Sequence, residues 1–329
     1  MADLPIWLAR AVESELEGRA RRDLAERSAR ITSTYRAGRG SREAVAGEAD
    51  ALAYAVARMP ATFASASRVL AEIRDLLPEF APRSVLDAGC GPGTAGFAAL
   101  DAWGDELAVL AQEDRNAAFL AQAGRFAAAA GGAFRLRQAS VELGRSAAPA
   151  DTAERFDLVL LGYVLAEFDL DAAATLAERM WGRTAEALAI VEPGTPDGYR
   201  RILAARRRLL AAGAHILAPC PHAKPCPLVP PDWCHFSERL PRRRAHIAAK
   251  GATLPFEDER FAYLVALRGA PPEESRAARI VAPPAISKPA IALKLCRPDG
   301  TASVETVAKR DKTRFAVARR LDWGDRFEA

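Results

Sequence analysis

The segment Val85-Leu86-Asp87-Ala88-Gly89-Cys90-Gly91-Pro92-Gly93-Thr94 places the tightest limit on what this chain can fold into. An apolar run that ends on a carboxylate and turns at once through three glycines reads as a strand feeding a helix. Glycines there let the backbone pass close beneath a bound nucleotide, where a side chain would collide. Strands are expected at about 84–88, 107–112, 134–138, 156–162 and 186–192, with helices between them. That alternation is the sign of a parallel α/β sheet. A second strand ends in the acidic pair Glu113-Asp114, placed to hydrogen-bond ribose hydroxyls at the carboxyl edge of such a sheet.

The pattern DxGxGxG is closer to motif I of class I S-adenosylmethionine-dependent methyltransferases than to a dinucleotide GxGxxG. By that resemblance Asp87, Gly89, Gly91 and Gly93 hold the methionine part of the cofactor and Glu113 the ribose. Glu113 is preferred to Asp114 because it comes first after the apolar run.

Three regions are expected: helical 1–80, a cofactor-binding domain over 81–215, and a cysteine-cluster region over 216–329 that adds final sheet strands and a basic terminus. In the first, IWLARAVESEL and ADALAYAVARM carry helical apolar spacing, Tyr35–Ser41 reads as a loop, and Pro60 closes a helix. Residues 218–235, with six prolines, three cysteines and two histidines, are too rigid for a regular element. FAYLVALRG beyond 250 reads as a strand, and 278–308 as several short β segments.

No run of about 18 uncharged apolar residues exists, which excludes a transmembrane helix. The charged start, with Glu13, Glu15, Glu17 and Asp23, fits neither a signal nor a transit peptide, so a cytoplasmic setting is expected, bacterial by the family resemblance given below; a monomer is expected as well. Net charge is a mild +4, but 40 of the 46 basic residues are arginine, the side chain suited to phosphate forks and base stacking. They cluster at 200–208, 239–244 and 309–320, which points to an RNA partner.

Cys90 lies in the glycine loop and reads as packing. Cys220, Cys226 and Cys234 follow C-x5-C-x7-C, and Cys296 supplies a fourth thiol. Four thiolates fit tetrahedral zinc or one iron–sulfur cluster, and the spacing does not choose between them. His222 and His235 are alternative ligands. The Pro219-Cys220 and Pro225-Cys226 pairs follow the fifth strand rather than the fourth, so the nucleophile of RNA cytosine-C5 methyltransferases is rejected. No acceptor-gripping motif follows the fourth strand, where Gly162-Tyr163-Val164-Leu165 stands; Glu167 is a candidate base and Tyr163 a stacking platform.

LDAGCGPGTA, LLGYVLAEF, VEPGTPDGYRRILAARR, APCPHAKPCPL, DWCHFSERLPR and RRLDWGD together resemble one family. It is the methyltransferase-like factors of the small ribosomal subunit, with methyltransferase-like protein seventeen in mitochondria and shorter bacterial relatives. The resemblance implies a class I methyltransferase-like, Rossmann-like fold that binds S-adenosyl-L-methionine. It also implies a 4Fe–4S cluster on Cys220, Cys226, Cys234 and Cys296, and contact with small-subunit rRNA during ribosome biogenesis or translation. Methylation of rRNA or a ribosomal protein is one expectation. A non-catalytic RNA-binding assembly factor, or a small-molecule methyltransferase with structural zinc, are the others.

Overall fold

The computed structural model describes residues 3–36, 41–144 and 154–328. Four helices open the chain: α1 (Ile6–Glu15), α2 (Arg21–Arg36), α3 (Ser41–Ala44) and α4 (Glu48–Leu76). Of the loop expected at Tyr35–Ser41, residues 37–40 lie outside the described residues. Where a stop at Pro60 was expected, α4 runs on through it for 29 residues. A proline inside a helix, which removes one backbone hydrogen bond and crowds the preceding turn, costs ~3 kcal/mol. Burial of Val56 and Met59 before the proline, and of Phe63, Val69 and Leu70 after it, outweighs that, at ~1.5–3 kcal/mol for each large side chain.

Strands and helices then alternate: β1 (Ser84–Ala88), α5 (Thr94–Trp103), β2 (Val109–Asp114), α6 (Ala117–Ala130), β3 (Arg135–Ser140), β4 (Phe156–Gly162), α7 (Leu170–Gly182), β5 (Thr184–Pro193), α8 (Pro196–Ala211) and β6 (His215–Ala218). After a long irregular loop come β7 (Phe236–Pro241), α9 (Arg244–Lys250) and β8 (Phe256–Leu267). The sheet order is β3-β2-β1-β4-β5-β8-β6, with β7 joined to the first half of β8. β1 to β5 are parallel and β8 is antiparallel to both β5 and β6. This is the class I methyltransferase-like sheet that the resemblance implies.

Period-two alternation divides the strands between two cores. On β5, Ala187, Ala189 and Val191 join the layer of α1, α4, α5 and α6, whereas Leu188 and Ile190 join that of α7 and α8. On β8, Phe261, Tyr263 and Val265 take the first side and Ala262, Leu264 and Ala266 the second.

The last segment builds a second, five-stranded sheet from β9 (Ala278–Ile280), β10 (Ala285–Ile286), β11 (Ala290–Cys296), β12 (Ala302–Ala308) and β13 (Arg326–Phe327), with α10 (Lys312–Ala318) against it. Its small core holds Ile280, Ile291, Leu293, Leu295, Val307 and Phe327. Buried Arg279 joins it to α4, donating to Glu72 at 2.7 Å, to the Gly324 carbonyl at 2.7 Å and to the Pro219 carbonyl at 3.1 Å.

Candidate functional site: a cofactor pocket and a four-thiol cavity

All three loop glycines adopt left-handed backbone, with φ of 73° at Gly89, 53° at Gly91 and 90° at Gly93. They are not equivalent. A Cβ on Gly89 would lie 2.6 Å from Val164 Cγ2, and one on Gly93 would lie 2.6 Å from Gln112 Nε2 and Phe97 Cε2. A Cβ on Gly91 would meet nothing within 4 Å. Gly91 therefore faces open space, and with Gly89 it lines a cavity at the carboxyl ends of β1, β2, β3 and β4.

The rest of the loop supports that cradle from behind. Gly89 and Cys90 N–H groups donate to the Glu113 carbonyl at 2.7 and 3.0 Å. The Asp87 carboxylate, 1% exposed, accepts from Gly96 N at 2.7 Å and so ties β1 to the first turn of α5. Burial pushes its pKa up to about 7. Asp87 and Gly93 do not line the cavity; Gly89 and Gly91 do.

At the end of β2 the structure separates the two acids. Glu113 turns to the other face of the strand, where Arg183 grips it with two hydrogen bonds of 2.7 and 2.9 Å. Asp114 faces the cavity, accepting from Gly91 N at 2.9 Å through Oδ2 and from Asn116 N at 2.8 Å through Oδ1. Burial raises its pKa against those two amides. The strand runs on through Asp114, and successive strand side chains point to opposite faces, so Glu113 and Asp114 cannot both meet the cavity. The acid on the pocket is thus Asp114, not the expected Glu113.

Sequence reasoning missed most of the remaining wall: Arg115, Phe119, Val141, Glu142, Leu143 and Phe168. Position after β2 and β3 was the available signal, since loops at this sheet edge carry the ligand. Arg115 spans the cavity mouth, bonding Glu142 at 3.2 Å and Glu167 at 3.1 Å. Tyr163, at φ 62°, also lines the cavity. Its hydroxyl donates to Glu259 at 2.8 Å and lies 3.0 Å from the Ser65 hydroxyl. Fully buried Glu192 accepts from Leu165 N at 2.7 Å, holding the loop after β4, and burial pushes its pKa up to about 8.

A second cavity is walled by Cys220, Cys226, Cys234 and Cys296 together. Three arrive on the irregular loop between β6 and β7, and the fourth on the last residue of β11. All are free thiols. Burial pushes Cys220 and Cys234 up and Cys296 up to about 12. The Tyr199 hydroxyl lies 3.0 Å from Cys226 Sγ, and His222 Nε2 lies 3.5 Å from Cys296 Sγ. His235 instead stacks on Trp233 at 4.9 Å and meets the Trp323 edge at 4.7 Å.

The cavity wall also carries a buried cation without an acidic partner. Arg206 is 3% exposed and donates to the carbonyls of His222 at 2.7 Å and Lys224 at 3.0 Å, while its Nε finds no acceptor. A buried charge of this kind is costly unless compensated. Four thiolates would compensate it. Among the described residues, no three His, Cys, Asp or Glu side chains converge closely enough to hold a single ion.

Residues 48–328 match the family described as mitochondrial small ribosomal subunit Rsm22. The chain belongs to this family. It is 29% identical over 295 residues to the human mitochondrial ribosome assembly protein METTL17, which covers 83% of this chain and 61% of the relative. The chain thus spans about three-fifths of that curated relative. Among solved structures, magnesium protoporphyrin IX methyltransferase from Synechocystis with bound S-adenosylmethionine is similar at 16% identity, over 64% of this chain and 80% of that one, with a TM-score of 0.41. A putative RNA methyltransferase from Pyrococcus horikoshii is similar at 11% identity, over 62% and 83%, with a TM-score of 0.41. No helix among the described residues is long and apolar enough to cross a membrane.

Proposed function

We propose that this Rsm22-family chain is an S-adenosylmethionine-binding, metal-containing assembly factor of the small ribosomal subunit. The observation that carries the cofactor reading is the open face of Gly91 beside Asp114 at the carboxyl edge of the sheet. Gly89 and Gly91 would admit the cofactor against bare backbone, Asp114 would take the ribose hydroxyls, and Phe119 with Phe168 would flank the base. The cofactor, when bound, supplies an electrophilic methyl group on a sulfonium. Cys220, Cys226, Cys234 and Cys296 would hold the metal centre, with Arg206 offsetting its charge; the family resemblance makes that centre 4Fe–4S.

The groups nearest the expected acceptor position favour binding over methyl transfer. Tyr163 is tied to Glu259 and Ser65, and Glu167 to Arg115, so each must leave a partner before it can serve an acceptor. Anaerobic purification tests the reading as a whole, through iron and zinc analysis, calorimetry with S-adenosylmethionine and sequencing of co-purifying RNA. Saturable cofactor binding with enrichment of small-subunit rRNA is expected. Protein that binds neither cofactor nor RNA refutes it.

A further inference from the structure

The three basic runs differ once their partners are known. In the first, Arg200 pairs with Asp197, Arg208 pairs with Glu178 at 2.8 Å, Arg201 donates to the Phe168 carbonyl at 3.0 Å, and Arg206 is buried. In the second, Arg239 grips Asp258 at 2.6 and 2.8 Å, Arg242 meets Glu257 at 3.2 Å, and Arg243 meets Asp3 at 2.9 Å. An arginine already held by a carboxylate must release it to neutralise a phosphate, so it adds little net attraction. The aromatic groups of that region are engaged too: Phe236 packs on Phe261 and Tyr263, and Trp233 stacks on His235.

Each of these two runs keeps one exposed arginine without an ion pair among the described residues, Arg207 and Arg244, whereas the third run gathers several. Lys309, Arg310, Lys312, Arg319 and Arg320 are exposed and make no ion pair among the described residues, while Arg314 pairs with Glu305. Lys309 N–H donates to the Pro289 carbonyl at 2.8 Å, and Ala290 faces Ala308 across the β11–β12 ladder. This pairing brings Lys288, exposed and also without an ion pair, beside Lys309. Helix α10 has seven residues, a span of about 10 Å, so Arg319 and Arg320, just past its C-terminal end, lie within reach of the same surface.

We propose that this corner of the C-terminal sheet, centred on Lys288, Lys309, Arg310 and Lys312, docks on the phosphate backbone of a folded RNA. The inference rests on the ribosome-assembly reading and gives it a surface. Phe315 packs against the small core and Trp323 against His235, so the corner offers cations rather than stacking platforms. Its contacts would therefore position the protein without reading bases.

The test is fluorescence anisotropy on a mixed-sequence RNA hairpin across a salt series, using the whole chain. Lys288→Gln, Lys309→Gln, Arg310→Gln and Lys312→Gln are combined in one variant, and Arg239→Gln with Arg243→Gln in a second. Four lost phosphate contacts at about 0.7–0.9 per charge should reduce the slope of log K against log salt by about 3. Affinity at low salt should fall more than tenfold, with S-adenosylmethionine binding unchanged. The second variant should behave as wild type. A wild-type slope in the first variant, or the loss falling on the second, overturns the docking surface and leaves the RNA reading standing. Wild-type protein that binds neither the hairpin nor small-subunit rRNA overturns both. Corner-dependent binding to phosphatidylserine vesicles, with RNA binding retained in the first variant, reassigns the surface to a membrane and also overturns the proposal.

Discussion

Substitutions at the three loop glycines separate a cradle from its scaffold. Alanine at Gly91 would adopt φ 53° with nothing within 4 Å of its Cβ. Its cost is the left-handed backbone alone, about 1–2 kcal/mol. Alanine at Gly93 carries the same cost at φ 90° and drives its Cβ to 2.6 Å from both Gln112 Nε2 and Phe97 Cε2. Overpacking of that kind adds about 1–3 kcal/mol, for a total of about 2–5. Gly89→Ala belongs with Gly93→Ala, because Val164 Cγ2 stands 2.6 Å away. Gly91→Arg should cost little more stability than Gly91→Ala, since the added chain enters the cavity rather than the core. Urea melts should place Gly91→Ala and Gly91→Arg about 1–2 kcal/mol below wild type, with Gly89→Ala and Gly93→Ala lower still. Calorimetry should then show that folded Gly91→Arg has lost S-adenosylmethionine. Full cofactor affinity in Gly91→Arg would show that the open space over Gly91 is not the cradle. Equal destabilisation by alanine at 91 and 93 would refute the contact argument itself.

Asp114→Asn should weaken cofactor binding at least tenfold, whereas Glu113→Gln should lower stability by about 1 kcal/mol through the loss of its half-buried arginine pair and leave affinity intact, as calorimetry and melts would show. Anaerobic protein should be brown with about four iron per chain, and Cys296→Ser should lose metal and speed proteolysis beyond residue 250; colourless, zinc-loaded protein, or unchanged cleavage, would contradict these outcomes. Asp87 and Glu192, raised to about 7 and about 8, keep protons in the fold that the unfolded chain releases near pH 4. Their burial therefore costs progressively more stability as pH rises from about 4 to about 8. Glu192→Gln should gain on wild type across that window, by several kcal/mol at most, and parallel stability curves would count against it.

What was legible in the sequence follows from how local each signal is. Strand β1, the glycine turn and the entry to α5 are one contiguous stretch, and all are found where the pattern puts them. Convergence of Cys296 with the other three thiols could be inferred only from chemistry, since 62 positions separate it from Cys234. The face of Glu113 was illegible because adjacent strand residues point to opposite sides, and which side meets the pocket is set by distant packing rather than by the local sequence. Its arginine partner, Arg183, lies 70 positions away. Continuation of α4 through Pro60 was hidden for a similar reason: burial against elements that the local sequence does not contain outweighs the local penalty. Arginine runs were visible, but the carboxylates that neutralise them come from other parts of the chain, Asp258 at 19 positions from Arg239 and Asp3 at 240 from Arg243.

Strand β8 sits between β5 and β6, pairing Val265 with both Ala189 and Ala218. β6 therefore has no neighbour in the sheet until a segment made some forty residues later has inserted beside it. On a ribosome synthesising this chain, the loop carrying Cys220, Cys226 and Cys234 emerges tethered to a strand that cannot yet dock. Cys296 emerges later still, on a sheet that reaches α4 through Arg279. Order of synthesis thus imposes an order of assembly: the glycine-loop edge built from β1, β2 and β4 can close early, whereas the thiol wall is completed among the last events of folding.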